Sequence, residues 1–564
     1  MSLGRFHAPC AALCLAWLTA LACAPAPVTA PGGGTGAQAP ESAPPLDAGA
    51  TFRSALYPEH WSPGFALDGG RFLHDFSFAG YHAGEVDPPE ALPAPVLDVV
   101  SGYGADPDGG ADATAALQAA LDAAGADGGT VYLPPGQYRV DGLLHLRHPH
   151  VVLAGAGPTQ TRLVLAAAPS THPGLSFGAN LTVGGELSLG ADVPLASDAA
   201  ALAHTVELSD ATALSPGDEV AVGWTLTDAF VAEHGMEGRW DTQAFTFHRT
   251  WQPFAWRTVV SVDTGTQPHR VQLDVPLRYP AKVRDGASLR AVSGRTVEVG
   301  IQSLGLSNAV EEGAAWSGDQ VHAVQFLGVR DGWMRDVASF PARPDTAAHL
   351  QSSGVLVRAS RRVTLERVRL GEVQNRGSGG NGYLFELRQA NEVLTRGCAG
   401  SGGRHNFIQN WEFGTSGCVW LDVLSENGLA RDSRTSLLTQ PGLSETHRAL
   451  AHANLFDRST FRDGLALVNR GGWSSQAGHT ATQNVVWNCA GDGQGVLRAY
   501  QFGHGFVVAP RGFASVSTAL EDLGAALFGW GVGTAPEDGV EAAGERAVEP
   551  SSLYLDQRAR RLGR

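Results

Sequence analysis

Hydrophobic positions change from a helical to a strand spacing between residues 96 and 165. A stripe on one side of a helix, which Asp112 would cap and Gly125 would end, contains Ala113, Ala116, Leu117, Ala120, Leu121 and Ala124. Short apolar runs follow at 130–133, 138–146 and 151–153, and they are separated by Pro134-Pro135-Gly136 and His148-Pro149-His150. Because a helix can cover the open edges of stacked strands, this pattern predicts the capped start of a β-solenoid.

Further along the chain, strand-like segments recur at a nearly constant interval. Aligning GWMRDV, RVTLERV, NEVLTRG and GCVWLDV places Trp333, Val363, Val393 and Val419 in register, at intervals of 30, 30 and 26 residues. Such a period is typical of a coil with three short strands. A second alignment stacks Asn406, Asn454 and Asn484, and it predicts an asparagine ladder whose amides bond the next coil's turn.

The first of these patterns resembles the opening of the pectate-lyase-like superfamily, in its rhamnogalacturonase, epimerase and phage-tailspike branch. The matching residues are Tyr103-Gly104-Ala105-Asp106, Asp112 to Gln118, Val131 to Gly136 and Leu153 to Gly157. The resemblance implies an all-β fold, a right-handed parallel β-helix with an N-terminal capping helix. It also implies a carbohydrate-related function. Members of this branch include lyases, hydrolases, epimerases and binding proteins, so the fold leaves the chemistry open.

The remaining segments complete the predicted organisation. Residues 51–94 form an aromatic-rich lead-in packed outside the solenoid, and residues 95–199 form the cap and first coils. Residues 200–295 break the coil rhythm with alternating strands, so they are predicted to be a small β-rich insertion. Residues 296–515 carry the main coils, and residues 516–564 form a tail with an amphipathic helix from about Ser551.

The N-terminus indicates export. Arg5 and His7 precede an apolar run from Ala11 to Ala22 that is too short to span a membrane, as in a secretory signal peptide over residues 1–23. Its end, Thr19-Ala20-Leu21-Ala22-Cys23, resembles a bacterial lipobox, which implies acylation of Cys23; a plain signal peptide is the alternative. Residues 24–50 are rich in Pro, Gly and Ala and are predicted to be a disordered linker.

Charge and composition limit the partners and metal sites that the protein is expected to have. The formal net charge is -16 and the only lysine is Lys282, which argues against a nucleic-acid partner. Membrane contact is expected only through a lipid anchor. Cys398, Cys418 and Cys489 lack metal-type spacing and are expected to be buried thiols, with one disulfide and one free thiol as the alternative. We expect no cofactor and no metal site; the acidic calcium-binding pattern of pectate lyases is not recognisable, which leaves calcium dependence open.

Candidate chemistry concentrates between residues 404 and 504, where successive coils would bring distant side chains together in a groove on the flank of the β-helix. An Arg or His there would remove the proton next to a uronate carboxylate, and a second Arg would neutralise that carboxylate, as β-elimination and epimerisation require. The candidate catalytic residues are Arg404, His405, Glu445, His447, Arg448, His452, Arg470 and His479. The candidate substrate-binding residues are Trp411, Asn469, Trp473 and His504. His504 lies in a Gly-His-Gly element similar to that of polygalacturonases, without the partner residues of that family.

The sequence therefore predicts an exported or surface-anchored polysaccharide-active enzyme, a lyase or epimerase acting on uronate-containing glycans. One alternative is a glycoside hydrolase with two carboxylates, drawn from Glu412, Asp422, Glu426, Glu445, Asp457 and Asp463. Another is a noncatalytic carbohydrate-binding or surface-display protein that uses Trp411, Trp420, Trp473 and Trp487 as stacking platforms.

Overall fold

The structure is a computed structural model that describes residues 51–341, 343, 345–518, 537–542 and 547–564. The predicted signal peptide, Cys23 and the linker at 24–50 lie outside the described residues. Three parallel stacks of short strands, here named sheets A, B and C, wind into a β-helix around one apolar core. This confirms the predicted fold class. Within the described residues no helix is both long and apolar enough to cross a lipid bilayer.

Sheet A has one strand per coil. Its strands are Leu144–Leu146, Ala179–Gly184, His322–Leu327, Ser353–Arg358, Tyr383–Arg388, His405–Gln409, Ser444–Thr446, Leu465–Val468, Val496–Tyr500 and Ser515–Ser517. Phe385 and Phe407 point into the core and stack at 4.8 Å between ring centroids. Because side chains alternate along a strand, their neighbours Glu386 and Ile408 face outward.

Sheets B and C share two long strands, Thr296–Ser307 and Val329–Ser339, which bend from one sheet into the other. The remaining strands of sheet B are Val96–Asp98, Gly129–Leu133, Val151–Gly155, Thr364–Glu366, Leu394–Arg396, Val419–Leu421, Leu455–Asp457, Val485–Trp487, His504–Val508 and Glu537–Glu541. The remaining strands of sheet C are Gly136–Val140, Thr161–Leu165, Arg369–Gly371, Ala399–Ser401, Leu424–Glu426 and Thr460–Phe461. A short pair, Ala451–His452 and Ala481–Thr482, precedes sheet B in two coils.

Two details of the predicted strands are wrong. The segment 138–146 is not one strand, because Asp141 and Gly142 turn the chain from sheet C into sheet A. In sheet B, Trp333 pairs with Thr364, and Thr364 pairs with Leu394, so the alignment through Val363 and Val393 is shifted by one residue. Both faces of this sheet are buried, so hydrophobicity does not distinguish the two registers.

The α-helices of the described residues are short. They are Val99–Tyr103, Thr114–Ala124, Asp228–Glu233, Glu312–Ser317, Leu553–Leu562 and the irregular turn Trp473–Gln476. Helix α1, which we define as Thr114–Ala124, buries Leu117, Ala120 and Leu121 over the first coils, as predicted. Its N-cap is Ala113 rather than Asp112, and Asp112 Oδ1 instead accepts hydrogen bonds from the Thr114 backbone and hydroxyl.

A separate antiparallel sheet interrupts the coils. Its strands are Ser188–Pro194, Thr205–Leu208, Glu219–Thr225, Trp251–Asp263, His269–Leu273 and Ser288–Ser293. This insertion has its own core, which also includes Phe413, Ala449 and Leu450 from the coils. The insertion therefore packs beside the end of sheet A where these residues lie.

Two further segments cover the outer face of sheet B. Tyr57, Trp61 and Phe76 of the lead-in join Leu553 and Tyr554 of the C-terminal helix in one buried cluster with the outward residues of sheet B. Two hairpins, Ala66–Leu67 with Arg71–Phe72 and Leu429–Arg431 with Thr439–Pro441, lie outside the coil sheets. Sheet A keeps a polar outer face.

The inner turns are held by side chains. Asn454 Nδ2 donates to Asn484 Oδ1 at 2.9 Å and Asn484 Nδ2 donates to Gln501 Oε1 at 2.9 Å, which forms part of the predicted ladder. Asn406 lies outside it, since this residue belongs to sheet A and bonds Ser425 and Asp463. Cys398, Cys418 and Cys489 are free and buried in the core, as predicted.

Candidate functional site

A compact polar cluster lies on the outer face of sheet A. Tyr383 pairs with His405 in the next coil, and Ile408 of that coil pairs with Glu445. His447 follows two residues after Glu445, and its peptide N–H donates to Gln409 O at 2.8 Å. Arg470 follows the next strand of the sheet. Coil stacking therefore brings together side chains that are far apart in the sequence.

Glu445 is the centre of this cluster, and only 6% of the residue is exposed. Its Oε1 accepts a hydrogen bond from His447 Nδ1 and lies 3.4 Å from His405 Nε2. Its Oε2 accepts from Arg470 Nη1 at 2.7 Å. Burial opposes ionisation, but the charge of Arg470, the interactions with His405 and His447, and the hydrogen bond from His447 hold the pKa of Glu445 well below its usual range. Glu445 is therefore a permanent carboxylate.

His405 presents an unpaired nitrogen to that carboxylate. Its Nδ1–H donates to the Leu443 carbonyl at 2.6 Å, which assigns the lone pair of the neutral ring to Nε2. Nε2 is buried and has no hydrogen-bond partner among the described residues. Burial lowers the pKa of His405 to about 4, so the ring is neutral near pH 7. Burial also lowers the pKa of His447.

Tyr383 completes the cluster and was not among the residues predicted from the sequence. Its ring centroid lies 5.5 Å from that of His405 and 6.4 Å from that of His447. Burial raises the pKa of Tyr383 to about 12, so the phenol keeps its proton at neutral pH. An alignment of the strands of sheet A would have found it, since Tyr383 and His405 are register partners.

A second polar group continues along the same face. Glu386 accepts hydrogen bonds from His322 Nε2 at 2.8 Å, Gln320 Nε2 at 3.0 Å and Asn410 Nδ2 at 2.9 Å. Its remaining neighbour is Arg388, which donates to both Glu386 and Gln320. Glu386 and Glu445 occupy one column of the sheet, separated by Ile408, and thus lie two coils or roughly 10 Å apart.

The structure separates the predicted catalytic residues into two groups. His405, Glu445, His447 and Arg470 form the cluster, and Arg404 lies next to it with Nη1 donating to Gly377 O at 2.7 Å. Three others face the insertion instead. Arg448 lies over Phe245 and Phe247, and His452 is 5.2 Å from Tyr279 and 5.9 Å from Phe254 between ring centroids. His479 is 5.0 Å from Phe502, a coil residue that packs on the core of the insertion. The predicted single groove for all eight residues is therefore not what the structure shows.

The predicted substrate-binding residues are also dispersed. Trp411 and Trp473 are 43% and 52% exposed, whereas Asn469 is buried and accepts from the Gly471 N–H. His504 begins a strand of sheet B and borders a cavity of about 120 Å³ between the insertion and the coils. A separate cleft of about 480 Å³ is lined by Glu372, Arg376 and Arg431 among others. Neither of these two concavities includes the Glu445 cluster.

Two groups of side chains have the atoms needed to hold a metal ion. The ligand atoms of His405, Glu445 and His447 lie within 4.8 Å of one another, and so do those of His82, Glu298 and Asp331. Both groups include imidazole nitrogen, whereas calcium prefers a set of oxygen ligands. The expectation of no metal site therefore stays a prediction.

Carboxyl groups with a raised pKa lie elsewhere. Burial raises the pKa of Asp457 to about 7 and that of Asp463 to about 6. Asp457 bonds Ser552 and Tyr554 at the C-terminal helix, and Asp463 bonds Asn406, Ser425 and Gly428 at a turn. The described carboxylates at the sheet A cluster, Glu445 and Glu386, both have a lowered pKa. A neutral carboxylic acid, which glycoside hydrolysis requires, is therefore missing from the described part of this cluster.

Comparison with known proteins finds similarity over a limited part of the chain. Residues 98–207 match the family described as rhamnogalacturonase A/epimerase, pectate lyase-like. Over 74 residues, 12% of the chain, the sequence is 54% identical to mannuronan C5-epimerase AlgE6 and 47% identical to alginate lyase 7, both from Azotobacter vinelandii. The matched segment spans 8% and 9% of those two proteins.

Among solved structures, the tailspike gp61 of Pseudomonas phage phi297 is similar with a TM-score of 0.48 and 13% identity. That similarity covers 75% of this chain and 65% of the tailspike. The family match ends at residue 207, before Tyr383, His405, Glu445, His447 and Arg470, and the Azotobacter matches cover 12% of the chain.

Proposed function

We propose that this pectate-lyase-like parallel β-helix protein is a polysaccharide-active enzyme, a lyase or epimerase that removes the proton next to a uronate carboxylate. The observation that carries the proposal is the unpaired Nε2 of His405, buried beside an ionised carboxylate and a protonated phenol. The coarser function, action on or binding of polysaccharides, accords with its family.

The proton transfer uses this geometry directly. The hydrogen on the sugar carbon next to the carboxylate is acidic once a cation neutralises that carboxylate. His405 Nε2 accepts the proton, and the imidazolium that forms is stabilised by Glu445 Oε1, which lies 3.4 Å away. The hydrogen bond from Nδ1 to Leu443 O keeps the ring in the orientation and tautomer that the transfer requires.

Glu445 also needs neutralising partners to remain in this buried position. Arg470 supplies a positive charge and His447 a hydrogen bond. Arg404, the guanidinium nearest in sequence to His405, keeps a buried Nε that has no hydrogen-bond partner. We assign Arg404 to the substrate carboxylate. The separation of roles follows from the contacts, since Arg470 is already paired and Arg404 bonds only a backbone carbonyl through Nη1.

Tyr383 supplies the second proton. Its protonated phenol donates either to the departing glycosidic oxygen, which gives an unsaturated product, or to the carbanion from the other face, which inverts the carbon. Both outcomes begin with the same abstraction by His405. Export and a lipid anchor at Cys23 remain part of this proposal, since an extracellular location would give the enzyme access to its polymer.

The test uses purified protein with alginate, polygalacturonate, rhamnogalacturonan and a neutral glycan. Absorbance of unsaturated uronate reports elimination, deuterium incorporation from heavy water reports epimerisation, and new reducing ends without unsaturation report hydrolysis. His405→Gln should lower turnover by about 10²- to 10⁴-fold, the usual contribution of a general base.

His452→Gln is the matched control, because His452 is equally buried but faces the insertion. It should leave turnover within about threefold of the parent, since no part of it contacts the cluster. Product without unsaturation or deuterium, or full turnover in His405→Gln, would contradict the proposal.

A further inference from the structure

One buried arginine that borders the insertion has no anionic partner. Arg448 directly follows His447 and is only 2% exposed, and its Nε and Nη2 are buried without a hydrogen-bond partner. Within the described part of the chain, no carboxylate forms an ion pair with it. The guanidinium cannot lose its charge by titration near neutrality, because burial lowers the pKa of Arg448 only to about 10.

The other fully buried arginines of the described residues have carboxylate or carbonyl partners, although Arg257, Arg278 and Arg361 also keep a buried nitrogen without a hydrogen bond. Arg257 and Arg278 both pair with Glu392, Arg361 pairs with Asp274, and Arg335 donates to the carbonyls of Pro88 and Pro89. An uncompensated buried charge costs several kcal/mol, so this difference requires an explanation.

Aromatic rings surround the Arg448 guanidinium. Its centre lies 4.5 Å from the ring centroid of Trp411, 5.1 Å from Phe245 and 5.2 Å from Phe247. These contacts offset part of the desolvation cost, but they provide no acceptors for the N–H groups. The site therefore holds a charge in place while leaving its hydrogen-bonding capacity unused.

Trp411 connects the buried Arg448 guanidinium to the protein surface. It is 43% exposed and follows Asn410, whose amide bonds Glu386 on the outer face of sheet A. Trp411 and Arg448 occur in neighbouring coils, immediately after Asn410 and His447, where the chain leaves the sheet. An exposed indole presents an apolar face suited to the C–H groups of a sugar ring.

We propose that Arg448 and Trp411 form a subsite that binds an acidic sugar, with Arg448 contacting its carboxylate or sulfate group and Trp411 stacking on its ring. This inference rests on the proposed function, because it places the glycan on the outer face of sheet A. It assigns recognition to the insertion as well, since Phe245 and Phe247 hold the guanidinium in place. In a chain with a net charge of -16, a dedicated cation is also what an acidic polymer needs at its binding face.

The test measures binding without turnover. Calorimetry with His405→Gln protein would use hexasaccharides of mannuronate and galacturonate, a sulfated galactan hexasaccharide and neutral cellohexaose. Adding Arg448→Met should weaken the binding of the preferred acidic hexasaccharide about tenfold to a hundredfold, as expected for hydrogen bonds to a charged group. Affinity for the neutral sugar should not change, and Arg448→Lys should recover part of the loss. Trp411→Ala should weaken both kinds of ligand.

Thermal unfolding separates this subsite from a structural role. Arg448→Met should not lower Tm, because it removes an unpaired buried charge and keeps an apolar stem. Arg335→Met is the matched control, which should lower Tm and leave affinity unchanged, because Arg335 binds backbone carbonyls of the lead-in.

The inference is overturned if Arg448→Met lowers Tm while acidic affinity stays within twofold, or if no acidic hexasaccharide binds. These readouts are independent of catalysis. Absence of product from the unmodified enzyme, together with arginine-dependent binding, would reject the proposed function and retain the subsite.

Discussion

Residues of one type have different properties in this protein because of what surrounds them. His405, His452 and His479 are all buried and all have a pKa lowered by burial. Only His405 combines an unpaired ring nitrogen with a carboxylate and a phenol on the same face. His452 and His479 instead lie among the aromatic rings that join the insertion to the coils. Neighbouring groups, rather than burial, therefore distinguish the proposed base.

The role of Tyr383 is testable by removing one oxygen atom. Tyr383→Phe should lower kcat by about 10²- to 10⁴-fold, because the ring still fills its site while the proton donor is lost. KM for the polymer should change little. Steady-state kinetics on the substrate identified in the panel measures both constants.

Tyr138→Phe provides the comparison for this variant. Tyr138 is buried in the first coils and donates to the Pro134 carbonyl at 2.9 Å, far along the sequence from the cluster. Its loss should cost about 1 kcal/mol of stability and leave kcat unchanged. Equal kinetic loss in both variants would show that Tyr383 acts through folding.

At the scale of elements, a buried ionic network joins the insertion to the coils. Glu392, which precedes a strand of sheet B, contacts Arg257 at 3.2 Å and Arg278 at 3.5 Å, and all three side chains are fully buried. Arg361 and Asp274 form a neighbouring pair across the same boundary. A network of this kind specifies one docking position, because any displacement leaves charges unpaired. The insertion can therefore contribute fixed rings to the Arg448 site.

Neutralising the centre of this network should destabilise the protein. Glu392→Gln leaves two buried guanidinium groups without a negative partner, and breaking a buried pair in this way typically costs 3 to 5 kcal/mol, so we expect about that loss. Urea-induced unfolding measures it. Asp141→Asn should change stability by less than about 1 kcal/mol, since its pair with Arg139 is exposed. A change below 1 kcal/mol in Glu392→Gln would show that the network is dispensable.

In the molecule as a whole, two distant parts of the chain close the outer face of sheet B. The lead-in and the C-terminal helix meet there, and Tyr554 donates its hydroxyl proton to Ala79 O at 2.8 Å. Asp457 of sheet B anchors the start of this helix by accepting from Ser552 Oγ and Tyr554 N. Sheet A stays uncovered by these segments, so its polar face remains the surface on which a polymer can lie.

Asp457, which anchors the C-terminal helix, should make the stability of the protein depend on pH. Burial raises the pKa of Asp457 to about 7, above roughly 3.9 in an unfolded chain, so the folded state holds the proton more tightly. The contribution of Asp457 to the free energy of unfolding is complete below about pH 4. It falls by about 1.4 kcal/mol per pH unit above that and is lost as pH rises through 7. Asp457→Asn should remove this slope, because the amide oxygen can accept both hydrogen bonds at any pH.

The measurement is the difference in unfolding free energy between Asp457→Asn and the parent from pH 4 to 8. A difference is needed because the buried histidines titrate with the opposite sign: their lowered pKa values make stability fall as pH falls. The free energy of unfolding of Asp457→Asn, relative to that of the parent, should increase as pH rises to 7. A difference independent of pH would contradict the assigned protonation.

The sequence by itself determined the features that depend on neighbouring residues. The stripe of the capping helix, the turn at Pro134-Pro135-Gly136 and the alternation of short strands are local patterns, and they were sufficient for a capped β-solenoid, while the family resemblance implied the parallel β-helix. The concentration of His, Arg and Glu after residue 404 also included His405, Glu445, His447 and Arg470 before their contacts were known.

Only the tertiary structure decided which of these side chains meet. Coil length varies, from 25 residues between Leu394 and Val419 to 36 between Val419 and Leu455, so a repeat cannot fix the columns. Sheet B is buried on both faces, so its pattern did not reveal the one-residue shift at Val363. The pairing of Tyr383 with His405 spans 22 residues rather than the 30 between Thr364 and Leu394, so the repeat did not reveal it. The insertion then takes Arg448, His452 and His479 away from the cluster, because its core packs on that edge of the coils.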